Sequence, residues 1–198
     1  VGGGCTTQVL LVNPSDQTIR GSVEFWDAGT PTISGAPIRF TVEGQTGNSF
    51  AYTLPPRSSQ RLRTSGTPAT TQVGSIRIIP QSGSPTPVGL GVFSFKRVGV
   101  TVSEASVAGV GSARTQRMFA EISTVDKIVT GLAVASTSTA PETITFELFT
   151  LSGAPVGQPA TLTVPANGQV VGFLNALPGF GSLVLPFQGV VRISSSSA

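Results

Sequence analysis

Short blocks in the first half of this sequence recur, in the same order, in its second half. Residues 9–12 (Val-Leu-Leu-Val), for example, match residues 131–134 (Gly-Leu-Ala-Val). The other matched pairs are 22–27 with 145–150, 35–38 with 153–156, 54–55 with 164–165, and 73–78 with 188–193. Ordered recurrence of this kind indicates a structural unit that is present twice. A chain of 198 residues then divides into two domains of about 100 residues, a common size for β-sandwiches.

Apolar residues in both halves alternate with polar ones, which is typical of a β-strand with one buried face. Val23 and Phe25, for example, alternate with Glu24 and Trp26. Clusters of Pro, Gly, Asn and Ser separate the alternating runs and predict turns, including one over 43–48. The helical period is never longer than one turn, and only 176–181 is predicted to form a short 3₁₀ or helical turn. The predicted strands are 7–13, 19–27, 37–42, 49–54, 59–64, 72–79, 89–95, 98–107, 117–123, 128–136, 142–150, 160–164, 169–175 and 188–194.

These patterns predict an all-β fold with two tandem immunoglobulin-like antiparallel β-sandwich domains. The first predicted domain covers 1–109 and the second covers 115–198. The small residues of 108–114 (Ala-Gly-Val-Gly-Ser-Ala-Arg) form the predicted linker.

The two copies of the unit differ at their ends. The predicted strand 117–123 precedes the matched blocks of the second copy, and 1–6 offers no equivalent strand. The strands within 88–107 follow the matched blocks of the first copy, with no equivalent after Ile193. We therefore expect the first sandwich to lack its N-terminal strand and the second to lack its C-terminal strands. Unpaired sheet edges are adhesive, and a strand donated by a neighbour repairs them.

Composition argues against catalysis, metal binding and nucleic-acid binding. The chain has no His, the commonest general base and metal ligand. The nine acidic residues are not spaced as a catalytic carboxylate pair or a calcium loop. The net charge of +3 comes without a dense basic stripe, and no apolar run reaches the ~18 residues of a membrane span. We expect no enzyme activity, no cofactor, no metal, no nucleic-acid partner and no membrane span.

Charged residues make up 11% of the chain, against about 25% in ordinary soluble domains. A surface with so little charge repels its own copies weakly and favours self-association.

Six residues are candidates for contacts with a ligand or partner. Arg57, Arg61 and Arg63 form a local basic feature that suits a polyanion such as an acidic polysaccharide, or that is solvated or paired with neighbouring acids. Trp26 and Phe149 occupy the same repeat position and are candidates for an interface or for stacking on a sugar. Cys5, the only cysteine, is interpreted as a small side chain near a strand start, or as a free or intermolecular thiol.

Two stretches resemble the repeat regions of large secreted bacterial cell-surface proteins, which are strings of sandwich modules. They are Gly-Gly-Gly-x-Thr-Thr-Gln-Val-Leu-Leu-Val-Asn-Pro-Ser at 2–15, and Val-Phe-Ser-Phe with Gly-Val-Thr-Val-Ser-Glu-Ala within 92–106. The resemblance implies an extracellular or cell-surface location and carries no catalytic residues. Because the sequence opens with Val1 and not Met, we expect a processed product or an excised fragment.

The sequence therefore predicts a structural subunit of an extracellular bacterial filament or surface stalk. Its partner would be a second copy, joined head to tail by β-strand complementation. The alternative is a carbohydrate-binding or adhesive module of a secreted protein, with Trp26 or the arginines contacting extracellular polysaccharide.

Overall fold

The computed structural model describes residues 1–181 and 183–196. Ser197 and Ala198, at the end of the second predicted domain, lie outside the described residues. The strands are β1 (Cys5–Val12), β2 (Ile19–Asp27), β3 (Phe40–Val42), β4 (Gln45–Gly47), β5 (Ser49–Leu54), β6 (Ser59–Arg63), β7 (Gly74–Pro80), β8 (Val88–Arg97), β9 (Val100–Ala108), β10 (Thr115–Ser123), β11 (Ile128–Val129), β12 (Gly131–Ala135), β13 (Glu142–Thr150), β14 (Pro155–Val164), β15 (Gln169–Phe173) and β16 (Phe187–Ser195).

The predicted all-β fold is confirmed. Strands pair antiparallel in every sheet of the described residues, and the one helical element there is a 3₁₀ turn over Leu174–Ala176. The chain divides into two compact units. The first unit comprises Val1–Asp27 and Ala36–Gly111, and the second comprises Ala28–Gly35 and Ser112–Ala198.

The first unit contains a four-stranded sheet, ordered β6-β1-β8-β9, and a three-stranded sheet, ordered β5-β2-β7. Both sheets contribute to one hydrophobic core, in which Val9 and Leu11 of β1 join Val23 and Phe25 of β2. This shared core is consistent with a β-sandwich. The β3–β4 hairpin adds Phe40, whose ring lies edge-on to Phe25 with centroids 5.3 Å apart.

The second unit has a five-stranded sheet, ordered β11-β10-β16-β13-β14, and a two-stranded sheet, β12-β15. Its core combines Phe146 and Leu148 of β13 with Val191 of β16 and Leu132 of β12. The 3₁₀ turn and the loop that follows it add further apolar side chains to this core, namely Leu174, Leu177 and Phe180.

The sequence repeat is visible as a repeated strand register. Phe25 lies opposite Ile76 between β2 and β7, and the matched residues Leu148 and Val191 lie opposite each other between β13 and β16. In each unit, a glycine at the matched position lies in the last residue pair of these two strands. A Cβ atom at Gly74 would lie 1.9 Å from the Trp26 carbonyl oxygen, and one at Gly189 would lie 2.0 Å from the Phe149 carbonyl oxygen.

Three local predictions differ from the structure. The turn predicted over 43–48 is shorter than expected, because Glu43 and Gly44 both have positive φ and close the β3–β4 hairpin as a two-residue turn. The single strand predicted over 128–136 divides at Thr130, whose side chain bonds to the backbone of Glu121. The 3₁₀ turn lies before the predicted 176–181, of which it includes only Ala176.

The sequence places Ala28–Gly35 within the first predicted domain, whereas the structure groups this segment with the second unit. Backbone hydrogen bonds explain this grouping. The Gly35 amide donates to the Ala166 carbonyl over 2.8 Å, and the Gln169 amide donates to the Ala28 carbonyl over 2.8 Å.

Replacing Gly189 by Ala tests the close approach of β16 to β13. Because the added methyl group would meet the Phe149 carbonyl oxygen, we expect Gly189→Ala to lower the free energy of unfolding by about 1–3 kcal/mol in urea titrations. Gly111→Ala is the control, since no heavy atom lies within 4 Å of its added Cβ, and we expect a change below about 0.5 kcal/mol. Equal effects of the two substitutions would contradict the contact.

Candidate functional site

An apolar cleft of about 330 Å³ opens between the two sheets of the first unit. Phe25 and Ile76 of the three-stranded sheet line it on one side, and Phe93 and Phe95 of β8 line it on the other. Cys5 of β1 also lines the cleft. The cleft is bounded by β7, which ends one sheet, and by β9, which ends the other.

The pairing of β8 with β1 explains why two phenylalanines face the cleft. Phe93 lies opposite Thr7 and Phe95 lies opposite Cys5, and residues directly opposite each other share one face of a sheet. Thr7 is buried on the core side, so both rings also face inward. Phe93 nevertheless remains 44% exposed and Phe95 remains 36% exposed, because the opposite sheet ends before it covers them.

Every residue of β9 is exposed. Ala105 and Val107 lie opposite Phe93 and Gly91 of β8, so they extend the same inward face. The β8–β9 part of this sheet therefore presents an apolar surface that side chains of the first unit only partly cover.

In the second unit, a further strand lies at the edge that corresponds to the free edge of β7. β16 is the repeat counterpart of β7, and its far edge pairs with β10, with Ala120 opposite Gly189 and Met118 opposite Val191. Ala120 and Ile122 of β10 are buried in the core of the second unit. Within the described residues of the first unit, β7 pairs with β2 alone. The cleft thus opens at the sheet edge where the sequence predicts that a strand is missing.

The sheets that contain β1 and its counterpart β12 differ in the opposite sense, because here the first unit has the additional strands. β1 lies between β6 and β8, whereas its counterpart β12 pairs only with β15 within 1–181 and 183–196. Each unit therefore has an unpaired edge at a place where the other unit has a strand.

The outer face of the first unit carries a cluster of Glu24, Trp26 and Arg77. The Trp26 Nε1 donates a hydrogen bond of 3.0 Å to the Glu24 carboxylate, and the Arg77 guanidinium lies 3.9 Å from the centre of the indole ring. Burial lowers the pKa of Arg77, while the charge of Glu24 acts in the opposite direction. One face of the indole is therefore covered by the protein's own arginine.

The second unit repeats this cluster in a looser form. Arg192 forms an ion pair with Glu147 and lies 5.8 Å from the centre of the Phe149 ring. Sequence reasoning identified both aromatic residues but missed the two arginines. Their shared place in the matched blocks 73–78 and 188–193 was the signal that would have found them.

The three candidate arginines do not act as one group. Arg57 lies in a turn, where its Nε donates to the Asp16 carboxylate over 2.6 Å, and both side chains are exposed. Arg61 and Arg63 project from one face of β6, opposite Leu10 and Gln8 of β1, and both are exposed. The Asp16 carboxylate offsets the charge of Arg57, although an exposed pair of this kind contributes little to stability. Arg61 and Arg63 therefore form the basic part of this surface.

Cys5 is a half-buried free thiol on the wall of the cleft. The N-terminal amine of Val1, which also lines the cleft, donates a hydrogen bond of 2.8 Å to the Gln72 carbonyl. Burial lowers the pKa of this amine, and Cys5 acts in the opposite direction.

Among residues 1–181 and 183–196, no cluster of three or more His, Cys, Asp or Glu side chains is arranged to hold a metal ion. None of the helical segments described is long and apolar enough to span a membrane.

No family model, curated protein or solved structure matches this chain. The geometry of the cleft and of the sheet edges is therefore the basis for a functional argument.

Phenylalanine substitutions distinguish the buried wall of the cleft from its partly exposed wall. Phe25 is 3% exposed, and we expect Phe25→Ala to lower the free energy of unfolding by about 3–5 kcal/mol. Phe93→Ala removes the same group from a partly exposed wall, and we expect a loss below about 1.5 kcal/mol because less apolar surface returns to water. Urea titration measures both values, and a Phe93→Ala loss as large as that of Phe25→Ala would mean that the cleft is closed in solution.

Proposed function

We propose that the chain is a non-catalytic structural subunit of an extracellular bacterial filament or surface stalk. Its two units are proposed to be immunoglobulin-like sandwiches. Neighbouring subunits would join head to tail by β-strand complementation, so the principal partner of the chain is a second copy of itself.

The observation that carries this proposal is the open cleft beside the unpaired edge of β7. An unpaired strand edge presents backbone amide and carbonyl groups that a further strand can satisfy. The same incoming strand would cover Phe93 and Phe95, which are partly exposed on the wall of the cleft. Strand addition combines both contributions, since backbone hydrogen bonds provide affinity and side chains in pockets provide specificity.

The charge distribution around the cleft also favours an incoming strand. Natural edge strands avoid aggregation by carrying exposed charges, above all lysine. The only charged residue of β7 is Arg77, and it lies over Trp26 on the outer face. The only charged residue of β9 is Glu104, and its carboxylate accepts a hydrogen bond from the Ser94 hydroxyl over 2.5 Å.

The proposed extracellular or cell-surface location is supported by the resemblance of residues 2–15 to the repeat regions of secreted bacterial surface proteins. The low fraction of charged residues, 11%, supports association between copies, because little charge repulsion opposes it.

The alternative role in carbohydrate binding has weaker support. A sugar-binding aromatic ring needs a free face, and Arg77 covers one face of Trp26. Arg61 and Arg63 are exposed on β6, but two arginines without further aromatic residues form a small site for a polysaccharide.

Lysine substitutions on β9 test the cleft as the site of assembly. Ala105 faces the cleft and Ser106 faces away from it, and both are exposed. We expect the mass of the wild-type chain in light scattering to rise with concentration. Ala105→Lys would suppress this rise because it places a charge in the apolar contact, whereas Ser106→Lys, which adds the same charge on the other face, would not.

A wild-type chain that remains a monomer at every concentration would contradict the proposal. Equal loss of association in the two lysine variants would show that net charge, and not the cleft, controls the behaviour.

A further inference from the structure

The second unit carries an edge that complements the cleft. β10 pairs with β16 from Thr115 to Ile122, but on its other side it pairs with β11 only at Ile122 and Ser123. Thr130 hydrogen-bonds to both backbone groups of Glu121. Its hydroxyl accepts from the Glu121 amide, and its amide and hydroxyl donate to the Glu121 carbonyl. Within the described residues, the outer edge of β10 from Arg117 to Ala120 therefore has no strand partner.

The same part of β10 exposes two large apolar side chains. Phe119 is 56% exposed and Met118 is 42% exposed. Ala120 and Ile122 are buried in the core, and side chains alternate between the two faces of a strand. Met118 therefore lies on the inner face of β10, and Phe119 lies on its outer face.

We infer that the unpaired edge of β10 in one copy pairs antiparallel with β7 of a second copy, and that Phe119 fills the cleft of that copy. This inference rests on the proposed function, since it names the donor strand for the assembly. Each copy has one donor edge and one acceptor edge, so the contact is heterologous, and without ring closure it extends into an open chain. No strand has to leave its own unit.

The repeat predicts which face of β10 meets the cleft. β7 and β16 are counterparts with the same register to their central strands, and β10 covers the matching edge of β16 with its inner face toward the core. If the opposite edge of β10 pairs antiparallel with β7, the donor strand has to be turned over relative to that arrangement. Its outer face, with Phe119, then lies toward the cleft, and Met118 lies on the same side as the outer face of β7.

The walls of the cleft suit an aromatic ring. Ile76, Phe93 and Phe95 line it, and aromatic pairs contribute beyond the area they bury. In this single arrangement, Phe119 and the cleft would both lose their contact with water. Each of them lies beside an unpaired edge.

Cysteine cross-linking between two variants tests the arrangement in the 198-residue chain with Cys5→Ser. One protein carries Ile79→Cys on the outer face of β7, and the other carries Met118→Cys on the inner face of β10. Both positions are partly exposed. A short bismaleimide is expected to join the two proteins when they are mixed. A Val171→Cys protein, whose substituted position on β15 is 61% exposed against 42% for Met118, replaces the Met118→Cys protein as the control and is expected not to cross-link with Ile79→Cys.

Light scattering of Phe119→Ser, made in the chain that retains Cys5, gives an independent measurement. Burying one phenylalanine accounts for about a tenfold to hundredfold change in association, so we expect Phe119→Ser to weaken association by that factor and Val171→Ser to leave it unchanged.

The two proposals fail in different ways. Wild-type association that persists in Phe119→Ser, without a cross-link between Ile79→Cys and Met118→Cys, would overturn β10 as the donor and leave the proposed function standing. A wild-type chain that does not associate at all would overturn both.

Discussion

The register between β2 and β7 decides which side chains of the first unit reach the core. It places Phe25 opposite Ile76, and Phe25 in turn packs edge-on against Phe40 and Phe50. A slip of one residue would put Trp26 in the core and Phe25 in water. Gly74 opposes such a slip, because any larger residue at that point would collide with the Trp26 carbonyl. The stack of Arg77 on Trp26 and the position of the β7 edge both follow from this register.

The same repeat is completed differently in the two units. The first unit adds β8 and β9 beside β1, whereas the second adds β10 and β11 beside β16. When one sheet of a pair gains strands and the opposite sheet does not, the apolar side chains on the added strands are only partly covered. Phe93 is an example. The second unit reduces this problem with the loop after β15, which places Leu177 and Phe180 in its core. The open cleft described above lies in the first unit.

Local patterns predicted much of this architecture. Alternation around Val23 and Phe25 depends on neighbours in sequence, so the all-β fold could be predicted from the chain alone. The exposure of Phe93 could not, because it depends on the pairing of β8 with β1 and on where the opposite sheet ends. The grouping of Ala28–Gly35 with the second unit rests on backbone hydrogen bonds such as Gly35 to Ala166, which leave no signal in side-chain composition. The stacking of Arg77 on Trp26 joins residues that are distant in sequence, and its signal is the arginine shared by the matched blocks 73–78 and 188–193.

Hydrogen exchange at low and high protein concentration tests most directly whether the β7 edge accepts a strand from a neighbour. If it does, the amides within Gly74–Ile79 that point away from β2, and those within Arg117–Ala120 that point away from β16, will exchange more slowly at high concentration. The new strand contact removes these amides from water. Amides of β5 and β14, which end the same two sheets on the opposite side, will exchange at the same rate at both concentrations. Exchange in β7 that does not change while the chain associates, or protection confined to β5 and β14, would contradict the account.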